Sequence, residues 1–190
     1  MYNSERNIFT GGENVDEIKR IDRKLVHKGS IVDFYRDTME FPGGNTAEWD
    51  YIHHKGAAAI VPVDEEGKII MVRQYRNAVE MNTLEIPAGG LNPGEDMYAA
   101  AIRECEEEIG YKATQVEHLI DVFTTVAFCN EKIGIYCGRK LIKTKQDLDE
   151  NEYVNIERYT VDELVEKILA GDILDAKTIA AILAYKTKYN

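Results

Sequence analysis

The sequence predicts a mixed α/β (α+β) sandwich preceded by a small N-terminal β extension. Three observations carry that expectation: short apolar runs of strand length recur between turn residues, one amphipathic helix interrupts them in mid-chain, and two helices close the chain. Hydrophobic residues make up 44% and charged residues 30% of 190, which is the usage of a chain that folds and a length that suits one domain plus an extension. The expected division is an extension over 1–55 and a main domain over 56–190.

Taken in order, residues 1–18 lack periodicity and read as a loose arm. Two β-rich stretches follow at 21–28 and 30–40, ahead of the turn-forming Pro42-Gly43-Gly44-Asn45. Residues 56–63, the turn Asp64-Glu65-Glu66-Gly67 and residues 68–74 read as a hairpin with a partly buried apolar strand. A short strand at 83–86 leads to a helix over 96–109, with Pro93-Gly94 ahead of it and Gly110 where a helix C-terminus favours glycine. Strands return at 116–124, 132–136 and 153–159, the last preceded by an acidic loop over 147–152. Thr160-Val161-Asp162-Glu163 has capping-box spacing and opens a helix that Gly171 stops; Asp175 opens the final helix, with Ile179, Ile182 and Leu183 at helical spacing.

Charge narrows the function classes. Acidic residues outnumber basic ones 34 to 23, a formal charge of −11 whose field repels nucleic acid and anionic lipid, so neither is an expected partner. Cys105, Cys129 and Cys137 are odd in number without CxxC spacing, and His27, His53, His54 and His118 form no zinc pattern, which fits free thiols in a reducing cytoplasm. No apolar run approaches the roughly 18 residues of a membrane helix.

The chemistry concentrates between Gly89 and Tyr111, GGLNPGEDMYAAAIRECEEEIGY. On a helix Tyr98, Ala101, Ile102, Cys105 and Ile109 form an apolar stripe, while Glu104, Glu107 and Glu108 stand at i, i+3 and i+4 on another face. Like charges so spaced destabilise a helix unless they are solvated or share a cation. Oxygen-only ligands suit Mg²⁺ or Mn²⁺, and magnesium takes one or two protein carboxylates, keeps waters and accepts substrate phosphate. A Glu-rich helix face is ordinarily a solvated face; the flanking residues argue for more. Arg103, one helical step before Glu107, can pair with it.

Gly89, Glu95, Arg103, Glu104, Glu107, Glu108 and Gly110 stand at the spacing of the Nudix box, and seven fixed matches arise by chance about once in 10⁸ at a given start. The chain thus resembles the Nudix hydrolase family over about residues 24–186. Cys105 and Tyr111 depart from it where relatives carry aliphatic residues. The resemblance implies an α/β/α sandwich with a mixed sheet and a loop-helix-loop site. It makes Glu104 and Glu108 metal ligands, Glu107 a further ligand or catalytic partner to them, and Gly89, Glu95, Arg103 and Gly110 structural parts of the motif.

Glu85-Ile86-Pro87-Ala88-Gly89 resembles the signature of the ADP-ribose pyrophosphatase subgroup, whose backbone carbonyl at the Ala88 position binds metal. Val72-Arg73-Gln74-Tyr75-Arg76 resembles its substrate-contacting strand, making Arg76 a phosphate ligand, with Glu85 and Trp49 counted as substrate-binding residues. Trp49 stands where many relatives have Arg, and either stacks on a base or fills a core. By the same likeness Glu150 in the acidic loop is the general base and Glu152 a metal ligand. The implied reaction is in-line attack by an activated water on a Mg²⁺-neutralised diphosphate, releasing AMP and ribose 5-phosphate from ADP-ribose.

Thr125-Val126-Ala127-Phe128 lacks the proline common in ADP-ribose-specific members, so GDP-mannose or another nucleoside-diphosphate sugar stays open as the substrate. A sensor that binds ADP-ribose without cleaving it is the alternative from another class, opposed by the intact glutamates. An RNA-end processing enzyme would need a basic surface. Relatives are homodimers that exchange N-terminal strands, so the extension is expected at a dimer interface.

Overall fold

The computed structural model describes residues 18–148, 150 and 153–189. The arm expected over the first residues, to 17, and Glu152 of the acidic loop lie outside the described residues. Contacts divide the chain between His53 and His54 into two compact units.

The first unit contains β1 (Lys19–Lys28), β2 (Val32–Glu40) and β3 (Thr46–His54), a three-stranded sheet in that order with β1 and β2 antiparallel. Sequence reading missed β3 because Glu48 and Asp50 interrupt any apolar alternation and the first half of the strand is exposed. The turn at Pro42 therefore joins two strands, closed by the Phe41 N–H donating to the Asn45 carbonyl at 2.8 Å. Asp37 is buried and accepts from Arg23 Nε and Nη2, both at 2.6 Å, while the Arg23 guanidinium lies 3.6 Å from the Tyr51 ring centroid. Trp49 is 47% exposed and packs edge-on against Phe41 at 5.7 Å, so it fills no core within this unit.

The second unit runs β4 (Ala57–Pro62), β5 (Ile69–Arg76), β6 (Met81–Glu85), β7 (Ala88–Gly90), α1 (Met97–Ile109), β8 (Tyr111–Phe123), β9 (Lys132–Lys143), β10 (Asn155–Tyr159), α2 (Val161–Ala170) and α3 (Ala176–Tyr189). One sheet has the order β7-β4-β9-β8 and is mixed, since β4 runs parallel to β9 while β7 and β8 are antiparallel to their neighbours; the other is antiparallel, β10-β5-β6. The expected hairpin over 56–74 is not formed by the strands: β4 and β5 belong to different sheets, and the turn between them is closed past the end of β4 by the bridge Val63↔Ile69 and the Asp64 N–H donating to the Lys68 carbonyl. The apolar run that suggested a hairpin arm marks a strand covered on both faces, whose ladders go to β7 and β9.

Alternate residues of β4 enter two cores. Ala57, Ala59 and Val61 join Leu164 of α2 and Ala181, Ile182 and Tyr185 of α3; Ala58 and Ile60 join Ala100, Ala101, Cys105 and Ile109 of α1. Helices thus cover both faces, α1 on one and α2 with α3 on the other. The caps follow the local sequence: Thr160 and Glu163 form the capping box of α2, Gly171 ends that helix in the left-handed region at φ 82°, and Asp175 accepts from the Thr178 N–H at the start of α3. Strands β8 and β9 are longer than their apolar runs suggested, because a ladder from Tyr111↔Lys143 to Phe123↔Lys132, with one register shift between His118 and Ile120, carries the polar ends along.

Candidate active site

Helix α1 begins with Asp96, whose side chain accepts from the Ala99 N–H at 2.8 Å, and ends at Gly110 with φ 67°. The buried stripe differs from the expected one in its edges. Ala100, Ala101, Cys105 and Ile109 are buried, whereas Tyr98 is 48% exposed and stands edge-on to Tyr136. Burial pushes the Cys105 thiol up to about 12, so that sulfur behaves as a small apolar filler.

The glutamate face is the informative one. Glu104 is 8% exposed and Glu108 2%, so this is no solvated helix surface. Glu108 Oε2 accepts from the Ala88 N–H at 3.2 Å, and the Glu104 carboxylate occupies the space a side chain at Gly89 would take. Both carboxylates therefore lie against the backbone of β7. Glu107 is more open and pairs with Arg103 Nη1 at 2.7 Å, the i,i+4 contact its spacing suggested.

Arg103 ties the motif together. Its Nη1 also donates to Glu104 Oε1 at 2.6 Å, its Nη2 to the Gly90 carbonyl at 2.9 Å, and its Nε and Nη2 make a two-point contact with Glu95 at 2.8 and 2.9 Å. Glu95 in turn accepts from the Asn92 N–H, so the loop before α1 is closed onto the helix by one guanidinium. These bonds, led by that from Glu95, raise Arg103 well above its ordinary value and keep it charged.

The donors available to a cation are the Glu104 and Glu108 carboxylates, Glu107 and the Ala88 carbonyl, an oxygen-only set of the kind hard divalent ions take. Among the described residues, no three His, Cys, Asp or Glu side chains converge tightly enough to hold a metal ion where they stand, because Arg103 lies among the glutamates. The glycine cradle that admits the Glu104 carboxylate and the burial of both carboxylates against the β7 backbone nevertheless fit such an ion, as an all-oxygen donor set.

A second cluster flanks the first. Glu85, at the end of β6, is 2% exposed and accepts from Arg76 Nε and Nη2 at 2.8 and 2.7 Å, from Thr83 Oγ1 at 2.6 Å and from Lys177 Nζ. Burial alone would raise this carboxyl, but Arg76, Lys177 and Thr83 outweigh it and hold it at about 2. Arg76 is raised by its bonds to Glu85, with the Glu108 and Asp175 charges adding to the effect, so the guanidinium feels the charge of Glu108 on α1. Structure thus brings Arg76, Glu85, Ala88, Gly89, Glu104 and Glu108 together.

Glu150 lies in an exposed turn. The segment leading to it is fastened to the end of α1: Thr144 N–H donates to the Gly110 carbonyl at 2.8 Å, Gln146 Nε2 to the Glu108 carbonyl at 2.6 Å, and Asp147 N–H to the Glu107 carbonyl at 3.0 Å. These are carbonyls that a helix terminus otherwise leaves unpaired. Sequence reading did not single out Thr83, nor Gln146, Lys177 and Thr178, whose contacts to Glu108, Glu85 and Ile86 are distant in the chain; a local signal for the last two was the capping Asp175 just ahead of two polar first-turn residues.

A NUDIX domain profile matches residues 53–182. The methanol dehydrogenase activator of Bacillus methanolicus is 39% identical over 168 residues, covering 87% of this chain and 91% of that protein. An ADP-ribose pyrophosphatase of Bacillus subtilis is 34% identical with the same coverage, and one of Mycobacterium tuberculosis is 32% identical over 88% of this chain and 83% of its own. The crystal structure of an ADP compounds hydrolase superposes with a TM-score of 0.82 at 20% identity, over 93% of this chain and 96% of that one, a likeness of fold.

Proposed function

The chain belongs to the NUDIX family, and on that premise we propose that its preferred reaction is Mg²⁺-dependent cleavage of the diphosphate of ADP-ribose to AMP and ribose 5-phosphate, with Mn²⁺ able to replace Mg²⁺. It is a pyrophosphohydrolase of ADP-ribose-type compounds, in company with the two ADP-ribose pyrophosphatases it resembles over most of its length. The observation that carries the finer reading is the burial of Glu104 and Glu108 against β7 with Arg76 alongside: two carboxylates for a cation next to a cation for a phosphate.

In this reading Glu104, Glu108 and the Ala88 carbonyl hold the divalent ion, with Glu152 of the acidic loop a further ligand. The bound ion would supply charge neutralisation at the phosphoryl oxygens. Arg76 binds the diphosphate through its guanidinium, half exposed and fixed by Glu85. Arg103 keeps Glu95 and Glu107 in place, so that the helix arrives at the substrate already ordered. Glu150 takes the proton of the attacking water, carried on a segment fastened to the C-terminal carbonyls of α1.

A second copy of the chain is the partner this reading implies, meeting at the N-terminal sheet, where Ile21, Leu25 and Val26 of β1 are all about half exposed. Among the described residues no helix is long and apolar enough to cross a membrane.

The test is a panel of nucleoside-diphosphate sugars, dinucleotides and nucleoside triphosphates with Mg²⁺ or Mn²⁺, with products identified. ADP-ribose turned over fastest supports the proposal; a preference for GDP-mannose or another sugar nucleotide moves the substrate within the class. Tight ADP-ribose binding without turnover of any compound would favour a sensor instead.

A further inference from the structure

Strand β6 ends at Glu85 and β7 begins at Ala88, so Ile86 and Pro87 lie between two ladders. Their backbone groups need partners from elsewhere. The Pro87 carbonyl accepts from the Ile60 N–H at 3.0 Å, and the Ile86 N–H donates to Thr178 Oγ1 at 3.0 Å. Thr178 is fully buried in the first turn of α3. A valine would fill the same space, so the hydroxyl is there for that one N–H.

The neighbouring Lys177 makes a second contact with the same segment. Its ammonium, 10% exposed, donates to Glu85 and to Asp175 Oδ2 at 2.9 Å, and Asp175 caps the helix that carries it. Glu85 already receives two bonds from Arg76 and one from Thr83, so its oxygens are engaged on all sides by the protein itself. The first turn of α3 therefore grips Glu85 by its side chain and Ile86 by its backbone, two residues ahead of Ala88.

We infer that Lys177 and Thr178 are positioning residues of the pyrophosphatase site, clamping the Glu85-Ile86 peptide and so fixing where the Ala88 carbonyl and the Arg76 guanidinium are presented. This rests on the reading above, in which Ala88 binds the cation and Arg76 the phosphate. Glu85 then acts through Arg76, holding its Nε–Nη2 edge and leaving Nη1 for the anion. Without Lys177 the Glu85 charge falls on Arg76 alone and competes with substrate for it. Without the Thr178 hydroxyl the Ile86 N–H loses its partner, and the Glu85-Ile86 peptide, held then only at its two ends, can shift the Ala88 carbonyl that serves the cation.

The two losses have different kinetic signatures. Thr178→Val should raise the Mg²⁺ concentration for half-activity about tenfold while the ADP-ribose KM changes less than about twofold; Lys177→Met should do the reverse, and Thr178→Ser and Lys177→Arg should restore most of each. Circular-dichroism melts of the full chain report the folded fraction. Values like the wild type in a variant with a native melt would overturn the inference, as would a fall confined to kcat that tracks the folded fraction. If the wild type hydrolyses nothing in the panel, the functional reading fails by itself, and calorimetric titration of Mg²⁺ decides the clamp separately: affinity about tenfold weaker in Thr178→Val supports it, and equal affinity sinks it.

Discussion

Gly89 has no Cβ, and the place one would take is filled by the Glu104 carboxylate: an added methyl would fall within 3.0 Å of all three of its atoms. The obstacle is the end of a flexible side chain, so Gly89→Ala should keep its melting temperature within a few degrees while Glu104 swings out and activity falls about 10- to 100-fold. Glu85 makes a different prediction. Its carboxyl is held at about 2, below its ordinary 4.5, by Arg76, Lys177 and Thr83 against the opposing effect of burial. A carboxylate depressed on folding stabilises the protein above its unfolded value and loses that contribution as pH falls through the folded one. This contribution, on the order of 3 kcal/mol, should be complete above about pH 5 and vanish between about pH 4.5 and pH 2, flattening in Glu85→Gln when urea midpoints are followed against pH. Which residues could be read in advance follows from distance along the chain. Glu104, Glu107, Glu108 and Arg103 share one helix, so spacing alone put them together; Lys177 reaches Glu85 across 92 positions and no local pattern announces it.

Helix α1 is the element that holds the site, and both of its ends matter. Gly110 closes it in the left-handed region at φ 67°, and a Cβ there would meet the Gln146 backbone nitrogen at 3.0 Å, on the segment that carries the acidic loop. Gly110→Ala should therefore cost about 1–2 kcal/mol in chemical denaturation, with a drop in turnover larger than the unfolded fraction explains. Helix limits were legible because caps are local: Asp96, Gly110, Thr160 with Glu163, Gly171 and Asp175 each act within a few residues. Strand partners were not. The short β7 is a strand only because β4 lies beside it, β3 carries charges where apolar alternation was sought, and the turn at Asp64 separates strands of two sheets where a hairpin was expected.

At the scale of the whole molecule, the sandwich places two cores back to back on β4 and leaves the site beside β7 on the α1 face. The fold class was legible because it needs only the kinds of element and their order; the sheet order needed contacts that the sequence does not advertise. A net charge of −11 sets the overall field against an anionic substrate, so in the proposed reaction a local cation and Arg76 gather it, and added salt should change KM modestly instead of abolishing binding. The proposed assembly predicts twice the chain mass by light scattering, reverting toward one chain when Ile21 and Leu25 are replaced by Glu.

The proposed reaction has buried carboxylates of α1 bind a divalent cation for attack on a diphosphate. Its most direct measurement is the turnover of ADP-ribose by wild type and Glu108→Gln across a Mg²⁺ titration, with melts matched. The wild type should release AMP and ribose 5-phosphate in a Mg²⁺-dependent manner, and the mutant should lose at least about a hundredfold in turnover even at saturating Mg²⁺. Near-equal turnover by the two proteins would contradict it.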